Sequence, residues 1–90
     1  MDIEAVWLRI TEHAGETFRQ KRGKPFTYHV HGNTLVLHTT NHQIHKSHFA
    51  EALTRLPLDG PGQLQDLRGP SYIYGILTDK RICPQAMPKS

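Results

Sequence analysis

Four cations, Arg19, Lys21, Arg22 and Lys24, crowd the stretch Arg19-Gln20-Lys21-Arg22-Gly23-Lys24 around one glycine. In a tight turn their side chains project together. Such a tip can follow a phosphate backbone or enter a groove. Lys and Arg on phosphates give salt-dependent affinity, and base specificity has to come from other groups. From Thr17 to Ala50 the chain has no Asp or Glu. The same span holds those four cations, Lys46 and six of the seven His: His29, His31, His38, His42, His45 and His48. All eight acids lie in the flanks. The competing reading is a solvated turn kept soluble by its charge, and it has to explain why no acid balances the stretch.

A second candidate is Thr39-Thr40-Asn41-His42-Gln43, leading through His45-Lys46 to a helix that begins near Ser47. Asn and Gln can read adenine edges, and Thr and Ser contact phosphate or the thymine methyl. Free N–H groups at a helix start also bind phosphate. Asn41, His42, Gln43, Lys46 and Ser47 are therefore the expected second contact patch, although polar loops before helices are common. Arg19, Lys21, Thr27, His29, His31, Thr34 and His38 share the expected outer sheet face, with Val36 the exception. Sheet faces that bind single strands usually stack bases on aromatics. Here Phe18, Phe26 and Tyr28 point to the core, which favours a plain solvated face.

Metal and catalytic chemistry find little purchase. His29 and His31 share a strand side, and His42, His45 and His48 recur every third residue. Three imidazoles could hold zinc. None of the compact zinc spacings occurs, however, and no Cys or acid is near, so neither metal nor cofactor is expected. Imidazoles gain protons just below neutral pH, and acidification would tighten binding to an anion. Cys83, beside Pro84, lacks an evident base. No nucleophile triad, nucleotide loop or carboxylate pair can be argued from spacing, Glu12 and Glu16 being the nearest acids. An enzyme is not the expected class.

The elements that must position these groups are legible from periodicity. Asp2 suits an N-cap, and Ile3, Val6, Trp7, Ile10 and Ala14 fall on one helical face, so Asp2–Ala14 is expected as a helix with Trp7 as a core anchor. Phe26, Tyr28 and Val30 alternate with polar residues, and Gly32-Asn33 then turns the chain into Thr34–Thr39. In that hairpin Val30 faces Leu35 and Tyr28 faces Leu37. Thr17–Lys21 is expected as a third strand. A three-residue loop Arg22-Gly23-Lys24 would set Phe18 opposite Tyr28 and Arg19 opposite Thr27, with Gly23 or a neighbour left-handed. The alternative is a first helix that runs on to Phe18. Thr40–Lys46 reads as loop. His48–Leu56 reads as a helix capped by Ser47 and ended by Pro57, and Pro57–Pro70 as a wrapped loop tacked by Leu58, Leu64 and Leu67. Ser71–Asp79 is divided between helix and strand, with helix favoured although Gly75 weakens it by about 1 kcal/mol.

The expected fold is α+β: a small three-stranded antiparallel sheet packed on one face by two or three helices, in the order α-β-β-β-α-α. Ninety residues make one domain, set at residues 1–82 with a flexible tail over residues 83–90. A single cysteine excludes an internal disulfide and fits a reducing compartment. No run is long and apolar enough for a membrane span, and the acidic start is unlike a signal peptide, so a cytoplasmic protein is expected. Net charge is +3 and pI about 9.3. The expected function is nucleic-acid binding, DNA before RNA and duplex DNA first. The alternative is a protein-interaction module, docking on an acidic partner or self-associating, in which Tyr72, Tyr74 and the Pro57–Pro70 loop would matter more.

Overall fold

The computed structural model describes residues 2–38, 40 and 42–84. Helix α1 spans Ile3–Glu12 and is capped by the Asp2 carboxylate, which accepts the Glu4 N–H. Its apolar stripe buries Val6, Trp7 and Ile10. Strands β1 (Phe18–Arg19) and β2 (Pro25–Phe26) form a two-stranded antiparallel ladder. Strands β3 (Tyr28–His31), β4 (Thr34–Leu37) and β5 (Gln43–His45) form a three-stranded antiparallel sheet. Helix α2 covers Lys46–Leu53, a short 3₁₀ turn Pro61–Leu64, and helix α3 Pro70–Leu77. This is the expected α+β class, with α1 packed on β3, α2 on β5 and α3 on β1 of the two-stranded ladder.

The alternation seen from Phe26 to Val30 belongs to one extended run, Pro25–His31. Its first half pairs with β1 and its second with β4. Tyr28 faces Leu37 and Val30 faces Leu35, the expected register. Phe18, Phe26, Tyr28, Leu35, Leu37 and Ile44 all turn inward onto Ile10, Phe49, Ile73, Ile76 and Leu77. Burying each such side chain is worth roughly 1.5–3 kcal/mol relative to exposure. Two polar tips are tied down inside this apolar layer. The Tyr28 hydroxyl donates to the Ile10 carbonyl at 2.6 Å, and Trp7 Nε1 donates to the Gly32 carbonyl at 3.3 Å. Burial pushes the Tyr28 phenol well above its ordinary pKa, and Trp7 is the core anchor its spacing implied.

Four local expectations are corrected. The third strand of the main sheet is Gln43–His45, a segment read as loop, because a three-residue strand has one inward residue, Ile44, and too little period to see. The Thr17–Lys21 strand exists only as Phe18–Arg19, and it pairs in a shifted register, with Phe18 opposite Phe26 and Arg19 opposite Pro25. Helix α2 starts at Lys46 and ends at Leu53; its N-cap is His45, whose Nδ1 accepts the Ser47 N–H at 3.1 Å. Cys83, placed in the tail, is fully buried with Ile82 in the core, and burial raises its thiol pKa. Residues 85–90 of that tail lie outside the described residues. Ser71–Asp79 resolves as helix within Pro70–Leu77, with Pro70 in the first turn.

Helix α3 approaches β1 more closely than a side chain would permit. A Cβ on Gly75 would lie 2.5 Å from the Arg19 carbonyl oxygen and 3.1 Å from the Phe26 ring. The glycine that weakens the helix by propensity is what lets the helix seat. The C-terminal segment then closes over the same strand. Arg81 sets its guanidinium 3.8 Å from the centre of the Phe18 ring. It donates to Asp79 at 2.9 and 3.0 Å, to Glu16 at 2.9 Å and to the Thr17 carbonyl at 2.8 Å. Beyond α2, Arg55 clasps Asp66 through two bonds, 2.6 and 2.8 Å.

Two outcomes follow from these contacts. Gly75→Ala gains about 1 kcal/mol of helix propensity but loses about 1–3 kcal/mol to overpacking, so urea titration should give a lower unfolding midpoint. The clasped acids set the acid response. The Arg55 bonds pull Asp66 down to about 2. The Arg81 bonds hold Asp79 below its ordinary range, and bonds from His13 and then Arg81 do so for Glu16. Folded values below unfolded ones stabilise at higher pH, and that stabilisation fades as pH falls from the ordinary 3.8 towards about 2. The thermal unfolding midpoint should fall across that window in the native protein, modestly because these pairs are exposed, and less in Arg55→Met, which frees Asp66.

Candidate nucleic-acid interface

The basic stretch folds as a hairpin whose three-residue loop is Lys21-Arg22-Gly23. Gln20 N–H bonds the Lys24 carbonyl at 3.0 Å, and Gly23 N–H bonds the Gln20 carbonyl at 2.8 Å. Gly23 has φ +88°, a left-handed conformation open to glycine at little steric cost. The loop length is as expected but lies one residue earlier in the chain, which keeps Phe18 on the core side. All four cations are exposed. Arg19 Nη1 donates to the Gly23 carbonyl at 2.9 Å, and Lys21 Nζ to the Asp59 main-chain carbonyl at 2.9 Å. These bonds brace the tip without neutralising it.

The acids explain why the tip stays charged. Glu4 pairs with Lys46, Glu51 and Asp66 with Arg55, and Glu16 and Asp79 with Arg81. Among the described residues, none of Arg19, Lys21, Arg22 and Lys24 pairs with a carboxylate. A cleft of about 450 Å³ opens beside the tip, lined by Gln20, Lys21, Arg22, Pro61 and Ser71. Ser71 sits in the first turn of α3, whose N-cap Gly69 offers no side chain. Pro61 and Ser71 were not identifiable as neighbours of the tip from the sequence. Their approach depends on the Pro57–Pro70 loop, which has no periodicity to place it.

The second patch is dispersed. Lys46 holds Glu4 at 2.7 Å, with 18% of its side chain exposed. The Ser47 hydroxyl lies 3.0 Å from His45 Nδ1, the atom that caps α2. Accepting the Ser47 N–H occupies the Nδ1 lone pair of His45, so that atom is committed to the cap. His42 is half-buried, its ring edge-on to Tyr72 with centroids 6.4 Å apart. His42 Nε2 is buried with no hydrogen-bond partner among the described residues. Gln43 is exposed on the outer face of β5 and, with Thr34, His45, His48 and Arg68, lines a different groove of about 520 Å³. Asn41 lies outside the described residues. Arg68 was missed by sequence reasoning; only its charge marked it, from within the long loop.

The outer sheet face carries His29, His31, Thr34, Val36, Gln43 and His45, and His29 leans on His38 with centroids 5.0 Å apart. No group of three or more His, Cys, Asp or Glu among the described residues could hold a metal ion. No helix among them is long and apolar enough to cross a membrane.

Because the side chains of Arg22 and Lys24 make no hydrogen bond or ion pair among the described residues, Arg22→Glu/Lys24→Glu should change the unfolding free energy by less than about 0.5 kcal/mol per site in denaturant titration. Comparison with protein-family models, curated proteins and solved structures finds no match for this chain.

Proposed function

We propose that this protein is a small nucleic-acid-binding domain that grips the phosphate backbone with the Arg19–Lys24 hairpin. The observation that carries the reading is a braced, fourfold cationic tip with no carboxylate partner among the described residues. A field of that kind attracts polyanions and releases their counterions on contact. The bracing matters because Arg19 and Lys21 have already given up part of their side-chain freedom to main-chain carbonyls. Less entropy is then lost when a phosphate arrives.

Reading base edges in duplex DNA would fall to the second patch. With Lys46 in an ion pair and Ser47 engaged by the cap, the hairpin alone supports binding, and phosphates of either strand state satisfy it. Docking on an acidic protein has less support. Tyr72 packs edge-on against Phe26 with centroids 5.1 Å apart, and Tyr72 and Tyr74 are both half-buried against the core. Leu8 is the one large apolar side chain exposed among the described residues, and a single exposed leucine is not a docking patch. The free, buried thiol of Cys83 suits a reducing cytoplasm.

Titration of labelled duplex and single-stranded oligonucleotides at two salt concentrations tests the proposal. Native protein should bind at low salt and weaken steeply as salt rises. Arg22→Glu/Lys24→Glu should lower affinity and reduce the salt slope by about 2, roughly one per lost phosphate contact. Equal affinity in the folded double variant would sink the reading.

A further inference from the structure

Where the basic hairpin meets the main sheet, an open groove of about 340 Å³ is lined by Thr17, Pro25, Phe26, Thr27 and His38. Its walls are a proline ring, part of an otherwise buried phenyl ring and an imidazole. No Asp or Glu lines it. Lys24 immediately precedes Pro25 in the chain, so the groove begins where the cationic tip ends.

The imidazole is held still. His38 Nδ1 lies 2.8 Å from Thr27 Oγ1, and His38 Nε2 lies 2.9 Å from His29 Nδ1. The His29 ring rests at 26° to it, with centroids 5.0 Å apart. A bond between two imidazole nitrogens needs a hydrogen on one and a lone pair on the other, so both His38 nitrogens are committed within the protein. That ring has no donor or acceptor left for a ligand. What it offers is an aromatic surface already fixed in orientation, and histidine is among the side chains on which unpaired bases stack. Fixing the ring in advance removes the ordering cost that a free rotamer would incur on contact.

We propose that this groove receives one unpaired base of a single-stranded nucleic acid, stacked on the fixed His38 ring while the hairpin holds the adjoining phosphates. The inference rests on the nucleic-acid reading above and names the strand state it lacks. Charge complementarity selects the occupant: the groove adjoins a cationic tip and carries no acid of its own. The space is at the lower end of the size range of small-ligand pockets, about 300–1,000 Å³. A base inside a duplex is covered on both faces and would have to be turned out to enter.

The test compares three probes, a short single strand, an abasic strand of equal length and charge, and a duplex, against native protein, His38→Ala and His38→Phe. Native protein should prefer the base-bearing strand to the abasic one by about tenfold, within the range of one base–aromatic stack. His38→Ala should erase that ratio, and His38→Phe should keep it, with the salt slope unchanged in both. Native protein that treats base-bearing and abasic strands alike would overturn the groove while leaving salt-dependent binding intact. So would a His38→Ala protein that keeps the native ratio. Native protein that binds none of the three probes at low salt removes both readings. Should His38→Ala fold poorly, the native comparison of the two single strands decides alone.

Discussion

The contact on which the arrangement turns is that between the Arg19 carbonyl and the backbone of α3 at Gly75. Two short strands are a poor foundation, since an isolated hairpin is marginal in water. The β1–β2 ladder has only two residues on each side. It persists because α3 lies directly against it, closer than any Cβ would allow, and because Phe18 and Phe26 are drawn into the core beneath. The cationic loop is thus mounted on a surface element that the helix layer holds from behind. A charged turn on an unsupported hairpin would spend its time in many geometries, and ligand binding would have to order it first.

Charge partition is the second organising feature. Arg55 and Arg81 each gather two carboxylates, and Lys46 takes a fifth. These pairs fasten loops to the body, and they leave those five carboxylates neutralised by cations other than the four of the hairpin. A small net charge thereby yields a strongly uneven field. Such separation has less to do with stability, where exposed pairs contribute little, than with the potential seen by an approaching anion.

How far the sequence could be read depended on the length of the local pattern. Helix α1, the β3–β4 hairpin and its register were plain, because several inward residues repeat at one period and Gly32-Asn33 supplies the turn. Helix α3 was legible against the objection of Gly75, and only tertiary contact reveals why that glycine is there. Strand β5 was hidden because Ile44 alone carries its inward face. The cap of α2 was misassigned because Ser47 is the better cap by type, whereas the backbone bend falls at His45. The Arg19–Lys24 cations were found by composition. The partners that tie up Lys46 and Ser47 were not, since Glu4 reaches Lys46 across the fold and His45 reaches Ser47 through a cap no spacing rule signals. The His29–His38 contact joins β3 to the residue just past β4; both histidines were expected on one face, but their direct contact was not.

Arg81 covers Phe18, a residue far earlier in the chain, and its bonds to Glu16 and the Thr17 carbonyl run the same way. Synthesis proceeds from the N-terminus, so the hairpin is complete as polypeptide well before its lid exists. Until the Asp79–Cys83 segment has emerged, Phe18 lacks its guanidinium cover and α1 lacks the Arg9 bond to the Ile82 carbonyl. Contacts between such distant residues also form slowly, because a long loop must close before they reward the chain. A nascent chain stalled short of Arg81 would therefore present its most basic turn on an incompletely closed body, exposing aromatic surface that the finished protein keeps covered.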